Sequence, residues 1–489
     1  MAKHSVLIEF TASSPENFEA APTSRTAASI VASIPGIKID NAFGVVDLPG
    51  TSPVSAGTEQ EVFGLESMTD RGVSAGPRVV MRGEIEVDDT ERIEKENPGM
   101  RIFSDPEIEV CAICPGSPPL GNAATIASLV GRSQLQSAGM TGRNVLLAIV
   151  DTGLNIPYLR SRGVVAPFDA ARSWAPRAGL TPGSLPVSHG TMCAFDATIA
   201  APQATLLDVA LLLSNRPGGS VMEGLLSDAV LAYRHLINVM NAPRRPGELR
   251  SMVVNNSWGM FHRSWDYPKG HPGNYSHNPN HPFNIIVRSL SNVGADIFFA
   301  AGNCGRECPD GRCQGVTNAG IVGANSSPYV TAVAGVDASK SRVGYSTSGP
   351  GALWRTKPDI AAFTHFSGSG VYAADGGTSA ACPVAAGVVA AFRSKFHFSA
   401  ANPRSTPTAI RSLVQRTAED RGSIGFDFDF GYGVINGKRL AATHSLSIMQ
   451  PFDITSIPQA EIDAYEQEMA ANARANAAHA QEKVAAAVA

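Results

Sequence analysis

Two stretches of the chain are apolar without interruption over the length of a strand, and both stop abruptly. Val145 to Val150 runs into Asp151-Thr152-Gly153, and Ile297 to Ala301 runs into Gly302-Asn303. Such runs suit strands buried on both faces, the situation in a parallel sheet covered by helices. A further strand is predicted around Val253-Val254, ending at Ser257-Trp258-Gly259, and Asn122 to Ala138 reads as a helix leading into the first run. Farther on, Gly376-Gly377-Thr378-Ser379-Ala380-Ala381-Cys382-Pro383 precedes the apolar run Val384 to Ala390. This pattern reads as a tight loop delivering a serine to a helix start, with the proline in a first turn, where its missing N–H costs nothing.

The chain before these segments is patterned differently. Strands are predicted at Ser5 to Phe10, at Val79 to Val87 and at Met100 to Val110. Helices are predicted at Ser24 to Ser33 and Asp88 to Asn97, and a pair of extended segments at Gly36 to Asp47. A Gly/Ser/Pro/Thr-rich loop fills Pro49 to Gly76. The resulting β-α-β-β-α-β order fits a small ferredoxin-like α+β domain. Cys111 to Pro119 is a turn-rich linker. Pro458 to Ala489 has a helix-favouring composition but apolar positions too sparse for a heptad seam, and reads as a solvent-facing tail. The expected division is therefore 1–115, 120–445 and 446–489.

Chemistry collects at the ends of the predicted strands, as it does in open parallel sheets. Ser379, beside the N–H groups and positive end of a helix, suits a nucleophile whose product is an oxyanion. His189, in Ser188-His189-Gly190-Thr191, is the candidate base, and Asp151 the candidate orienting acid. Asn303 offers a neutral amide donor for a developing oxyanion. Each residue has an ordinary alternative, a helix cap or a turn residue, but three such contexts in the order Asp, His, Ser are hard to assign to coincidence. Asp-Thr-Gly also marks aspartic proteases, which need two carboxylates sharing a proton, and the chain has no second copy of that motif.

These segments resemble the subtilase family of subtilisin-like serine proteases over about Leu120 to Ala442. The resemblance implies an α/β fold with a parallel sheet flanked by helices. It implies a triad of Asp151, His189 and Ser379, an oxyanion hole including Asn303, and a cleft strand at Ser257, Trp258 and Gly259. Trp258, bulky at this position, is itself expected to narrow the cleft. The implied activity is a serine endopeptidase acting on protein or peptide substrates through an acyl-enzyme. A maturation protease, a peptide ligase using the same acyl-enzyme, and a catalytically silent binding protein are the alternatives. The first 115 residues are similar to subtilase prodomains, which implies an intramolecular inhibitor and a self-processed precursor. Cys193, four residues after His189, matches the free cysteine of thiol-dependent, proteinase K-like members and is a candidate thiol modulator, with a plain packing role as the alternative. No cofactor is required by this chemistry; calcium is allowed by the resemblance, but no residue pattern assigns it a site.

Composition narrows the partners. The 489 residues are 44% hydrophobic, ordinary for a sizeable core, and a net charge of −4 gives no reason to expect nucleic acid or an anionic membrane. No apolar stretch is long enough to span a bilayer. Met1 to Phe10 turns polar too soon for a signal peptide, so cytoplasmic residence is expected. Of seven cysteines, Cys304, Cys308 and Cys313 crowd the loop after Asn303 and are expected as free thiols first and metal ligands second. Cys111 and Cys114 have Cys-x-x-Cys spacing without a supporting helix or partner pair. The segment Met260 to Phe283 carries His262, His271, His277 and His281 at irregular spacing and reads as a substrate-contacting loop rather than a metal site.

Overall fold

A computed structural model describes residues 3–11, 31, 33–48, 78–86, 89–110, 117–213, 223–243, 250–318 and 320–443, all within one unit spanning Met1–Ser445. The predicted helix at Ser24 to Ser33 (save Val31 and Ser33), the loop from Pro49 to Gly76, Cys111, Cys114 and the C-terminal tail lie outside the described residues.

The N-terminal module is an antiparallel sheet built from β1 (Lys3–Thr11), β2 (Lys38–Ile39), β3 (Val46–Leu48), β4 (Arg78–Glu86) and β5 (Met100–Ser104). The order is β2-β4-β1-β5, with β3 also on β4, and the helix Thr90–Glu96 joins β4 to β5. Apolar residues at alternate positions of β1 and β4, among them Val6, Ile8, Val79 and Met81, supply its core together with Ile93 and Ile102. The strand expected to run from Met100 to Val110 is broken at Asp105-Pro106. Pro106 has no N–H to give a sheet, and the chain leaves the module there to form a separate strand, β6 (Glu107–Val110).

The main sheet holds six parallel strands in the order β14-β13-β12-β10-β7-β8. Its members are β7 (Val145–Val150), β8 (Thr205–Val209), β10 (Ser251–Asn256), β12 (Ala295–Ala300), β13 (Thr331–Val336) and β14 (Ile360–Phe363). The predicted apolar runs, β7 and β12, flank β10 near the centre and are buried at every residue. Leu146, Ala148 and Val150 share a core cluster with the helices Leu226–Asn241 and Pro282–Asn292. The helix Gly377–Arg393 is buried along its whole length and packs on the sheet and on the helix His189–Ala200. At their crossing a Cβ on Gly387 would stand 2.1 Å from the Ala197 carbonyl oxygen, so only glycine allows backbones this close. Two small strands, β9 (Glu223–Leu225) and β11 (Trp258–Gly259), stand off the main sheet and pair with β6 on either side.

Two helix boundaries differ from expectation. The helix predicted over Asn122 to Ala138 is two, Ala123–Leu129 and Arg132–Ser137, because Gly131 turns left-handed with φ 73°. Pro383 lies in the second turn of its helix, since that helix begins at Gly377.

Candidate active site

The parallel sheet brings the ends of β7, β10 and β12 to one edge, and the two buried helices deliver the remaining side chains there. Asp151 follows β7 directly and is fully buried. His189 is the first residue of its helix, placed against the β7 turn because Gly190 has no side chain: a Cβ there would come 2.6 Å from the Gly153 carbonyl oxygen. Thr152 Oγ1 accepts the Gly190 N–H at 2.9 Å and fixes the same junction. His189 Nδ1 lies 2.9 and 3.0 Å from the two Asp151 carboxylate oxygens. A carboxylate oxygen accepts, so Nδ1 carries the hydrogen and Nε2 is left as the basic nitrogen. Nε2 is buried and has no hydrogen-bond partner among the described residues.

Ser379 sits in the first turn of the helix Gly377–Arg393, fully buried, with Oγ 3.3 Å from the Ser257 carbonyl oxygen. Pro383 has no N–H to donate to the Ser379 carbonyl four residues earlier. That oxygen accepts from Ser257 Oγ at 3.0 Å instead, with Cys193 Sγ at 3.6 Å. Cys193 Sγ also lies 3.7 Å from Asp151 Oδ2 and 3.7 Å from His189 Nδ1, so one thiol touches all three residues. Burial, with the Asp151 carboxylate beside it, pushes that thiol well above the ordinary cysteine range.

Asn303 follows β12 and is buried. Its Oδ1 receives the Thr378 N–H at 2.9 Å and the Thr378 hydroxyl at 3.0 Å. Because a backbone N–H can only donate, the oxygen end of the amide is identified and the NH2 is the donor end. Thr378 adjoins Ser379 in the same motif, but its part in the site depends on a contact 75 residues away that the motif does not show.

Ser257 leads into β11, and Gly259 lines the pocket at Asn303. The Trp258 side chain does not narrow the cleft. It is fully buried, donates Nε1–H to the Val150 carbonyl at 3.0 Å and packs on Phe283 and Phe299. Its backbone belongs to β11, in antiparallel pairing with β6: Val110 stands opposite Trp258 and Glu109 opposite Gly259. The β9 edge pairs β6 from the other side, Glu107 opposite Leu225.

The cysteines after Asn303 are not free thiols. The loop folds back so that Cys304 and Cys313 bring their Cα atoms to 5.7 Å and form a disulfide, and Cys308 is disulfide-bonded as well. Met260, Phe261 and Cys304 line a pocket with Asn303, and Arg312 lies over the Phe261 ring at 3.9 Å. The four histidines from Met260 to Phe283 do not converge. His262 meets Ser264, His271 stacks on Tyr267, and His281 is buried against the Ser104 carbonyl oxygen.

Among the described residues, Asp151, His189 and Cys193 have ligand atoms within 4.8 Å of one another. Nitrogen and sulfur donors do not suit calcium, which takes oxygen ligands, so this set does not fit the ion that the resemblance allowed.

The subtilase family model matches residues 142–433, the stretch that contains Asp151, His189, Ser257, Asn303 and Ser379. The chain belongs to the subtilase family. This subtilase is 27% identical over 360 residues to fervidolysin of Fervidobacterium pennivorans, a match covering 70% of the chain and 46% of fervidolysin. It is 25% identical over 319 residues to a thermostable alkaline protease of Halalkalibacterium halodurans, covering 64% of the chain and 72% of that protein. With subtilisin E of Bacillus subtilis it shares 26% identity over 308 residues, 62% of the chain and 67% of that enzyme. The chain thus spans about half the length of the first of these relatives and about two thirds or more of the others.

Proposed function

We propose that this subtilase is a serine endopeptidase that cuts protein or peptide chains through an acyl-enzyme on Ser379 and is made in a self-inhibited form. The observation that carries the activity is the pairing of His189 Nδ1 with Asp151, which leaves a buried, unpartnered Nε2 in the cluster that Cys193 links to Ser379. His189 Nε2 takes the proton from Ser379 Oγ as the oxygen attacks a peptide carbonyl, and returns a proton to the leaving amine. Asp151 holds the tautomer and stabilises the imidazolium. The Asn303 NH2 and the Ser379 N–H bind the oxyanion. Water then repeats the sequence on the acyl-enzyme.

Self-inhibition is supported by β6. An extended segment paired to a cleft-edge strand is how peptides add to a sheet edge, with the backbone supplying affinity. β6 occupies that position between β9 and β11. Its last residue, Val110, stands opposite Trp258, next to Ser257, whose carbonyl oxygen lies 3.3 Å from Ser379 Oγ. This supports a first cut after Cys111. The disulfide between Cys304 and Cys313 supports residence in an oxidising compartment rather than the expected cytoplasm.

The test is expression of wild type and Ser379→Ala. Wild type should label with a fluorophosphonate and yield a chain beginning at Ala112, while Ser379→Ala should do neither. Identical behaviour of the two chains, without labelling, would exclude the protease. Labelling without a cut would leave the protease and exclude self-processing.

A further inference from the structure

The segment Met260 to Phe283 follows the cleft strand, and its first residues line the pocket at Asn303. The rest folds around one carboxylate. Asp266 accepts from the backbone N–H of Tyr267, Tyr275 and Ser276 at 2.8 Å each, from Asn274 Nδ2 at 2.9 Å and from Ser276 Oγ at 2.6 Å. So many donors on one carboxylate give the segment a fixed shape. Its outward contact is with the N-terminal module, at the end of β5.

Every polar group of Ser104 in the module is held by this segment. Its N–H donates to the Gly273 carbonyl at 2.9 Å, and its hydroxyl lies 2.6 Å from Asp266 Oδ1 and 3.0 Å from the Gly273 carbonyl oxygen. Its carbonyl receives His281 Nε2–H at 2.8 Å; the Phe283 N–H donates to His281 Nδ1, which places the ring hydrogen on Nε2. Gly273 comes so close that a Cβ would stand 2.4 Å from the Ile102 carbonyl oxygen and 3.0 Å from Phe103 Cα. Tyr267 enters the module's own core beside Ile93, Met100 and Ile102, its hydroxyl 3.4 Å from Thr90 Oγ1. A side chain of the catalytic unit thus completes the hydrophobic core of the module.

We infer that Met260 to Phe283 is a receptor site for the N-terminal module, separate from the cleft, and that its hold on Ser104 sets how long the module stays bound. The inference rests on the self-inhibition proposed above. All of its contacts lie before β6 in the chain, so cutting the linker removes none of them. The occupant it fits is the strand end Ile102-Phe103-Ser104 with an aromatic-accepting core behind it, which only a correctly folded module presents.

Two full-length variants test this from opposite sides of the contact. Gly273→Ala forces the backbones apart, and Ser104→Ala removes only the hydroxyl that reaches Asp266. Each is purified alongside wild type and followed for hydrolysis of a short fluorogenic peptide and for co-elution of the module fragment in size-exclusion chromatography. In both variants the lag before activity should shorten by about tenfold or more, the scale of one hydrogen bond to a charged group. The fragment should elute separately, and the final kcat/KM should equal that of wild type. If Gly273→Ala fails to fold, shown by loss of fluorophosphonate labelling, Ser104→Ala decides. Unchanged lag and co-elution in Ser104→Ala would overturn the receptor site. A wild type without any lag would instead overturn self-inhibition, and the receptor site would then be judged on co-elution alone.

Discussion

Cys193 shows how much chemistry one small side chain can touch. Its sulfur is buried within 3.7 Å of Asp151, His189 and the Ser379 carbonyl, and burial keeps it a thiol. A mercurial that reaches it would insert a heavy cation between the acid and the base. Treatment of wild type should therefore abolish peptide hydrolysis, whereas Cys193→Ala should keep most of its activity and lose the sensitivity; full activity in treated wild type would exclude the effect. The spacing from His189 was readable in the sequence because a helix places residues four apart on one face. The contact with Ser379 was not, since it needs the crossing of two helices far apart in sequence. Trp258 shows the converse: its type and position suggested a cleft residue, and only the packing of Phe283 and Phe299 reveals that its ring faces the core.

At the scale of elements, the crossing of His189–Ala200 with Gly377–Arg393 positions His189 and Ser379, and its weak point is electrostatic. Asp196 is wholly buried in the first helix, and Asp375 lies just before the second. Burial first, and the neighbouring Asp375 second, push the Asp196 carboxyl well above its ordinary range; burial also raises Asp375. A carboxyl raised in the folded state binds its proton more tightly there, so its stabilisation is present in acid and is lost as pH rises above the unfolded value of about 4. Asp196→Asn keeps the shape of the protonated acid without that loss. Thermal melts should show a higher Tm than wild type at pH 8 and little difference at pH 4; a lower Tm at pH 8 would contradict this account. The strands of the main sheet were legible because continuous apolar runs mark burial on both faces. The short strands β9 and β11 were not, because two or three residues carry no period and their pairing partner is the distant β6.

For the molecule as a whole, two titrating groups with opposite signs meet at the contact between module and catalytic unit. Asp105 accepts the Ser227 N–H at 2.9 Å at the start of the helix Leu226–Asn241, and burial raises its carboxyl to about 6. Its contribution to docking is greatest in acid and falls as pH rises from about 4 through 6. Burial lowers His281, whose Nε2–H donates to the Ser104 carbonyl, to about 4, so its contribution is complete above about 6.5 and falls as pH drops from there. The wild type should consequently hold its module about equally at pH 7.5 and 4.5. Asp105→Asn removes one side of this balance, and its module fragment should co-elute at pH 7.5 but separate at pH 4.5. Retention at both pH values would show that His281 does not govern docking. The module's antiparallel sheet was legible in its alternating strands, and the helix Thr90–Glu96 in its charged run. Its attachment was not, because a segment with four histidines suggests metal or substrate before it suggests a socket for Ser104. β6 has one more consequence. Ile108 is fully buried in the core cluster of the catalytic unit while belonging to β6, the segment proposed to fill its cleft. Cleft and occupant are encoded by one gene and inherited together, so a change that reshapes the walls around Ile108 meets its first test in the protein's own folding, before any foreign substrate arrives.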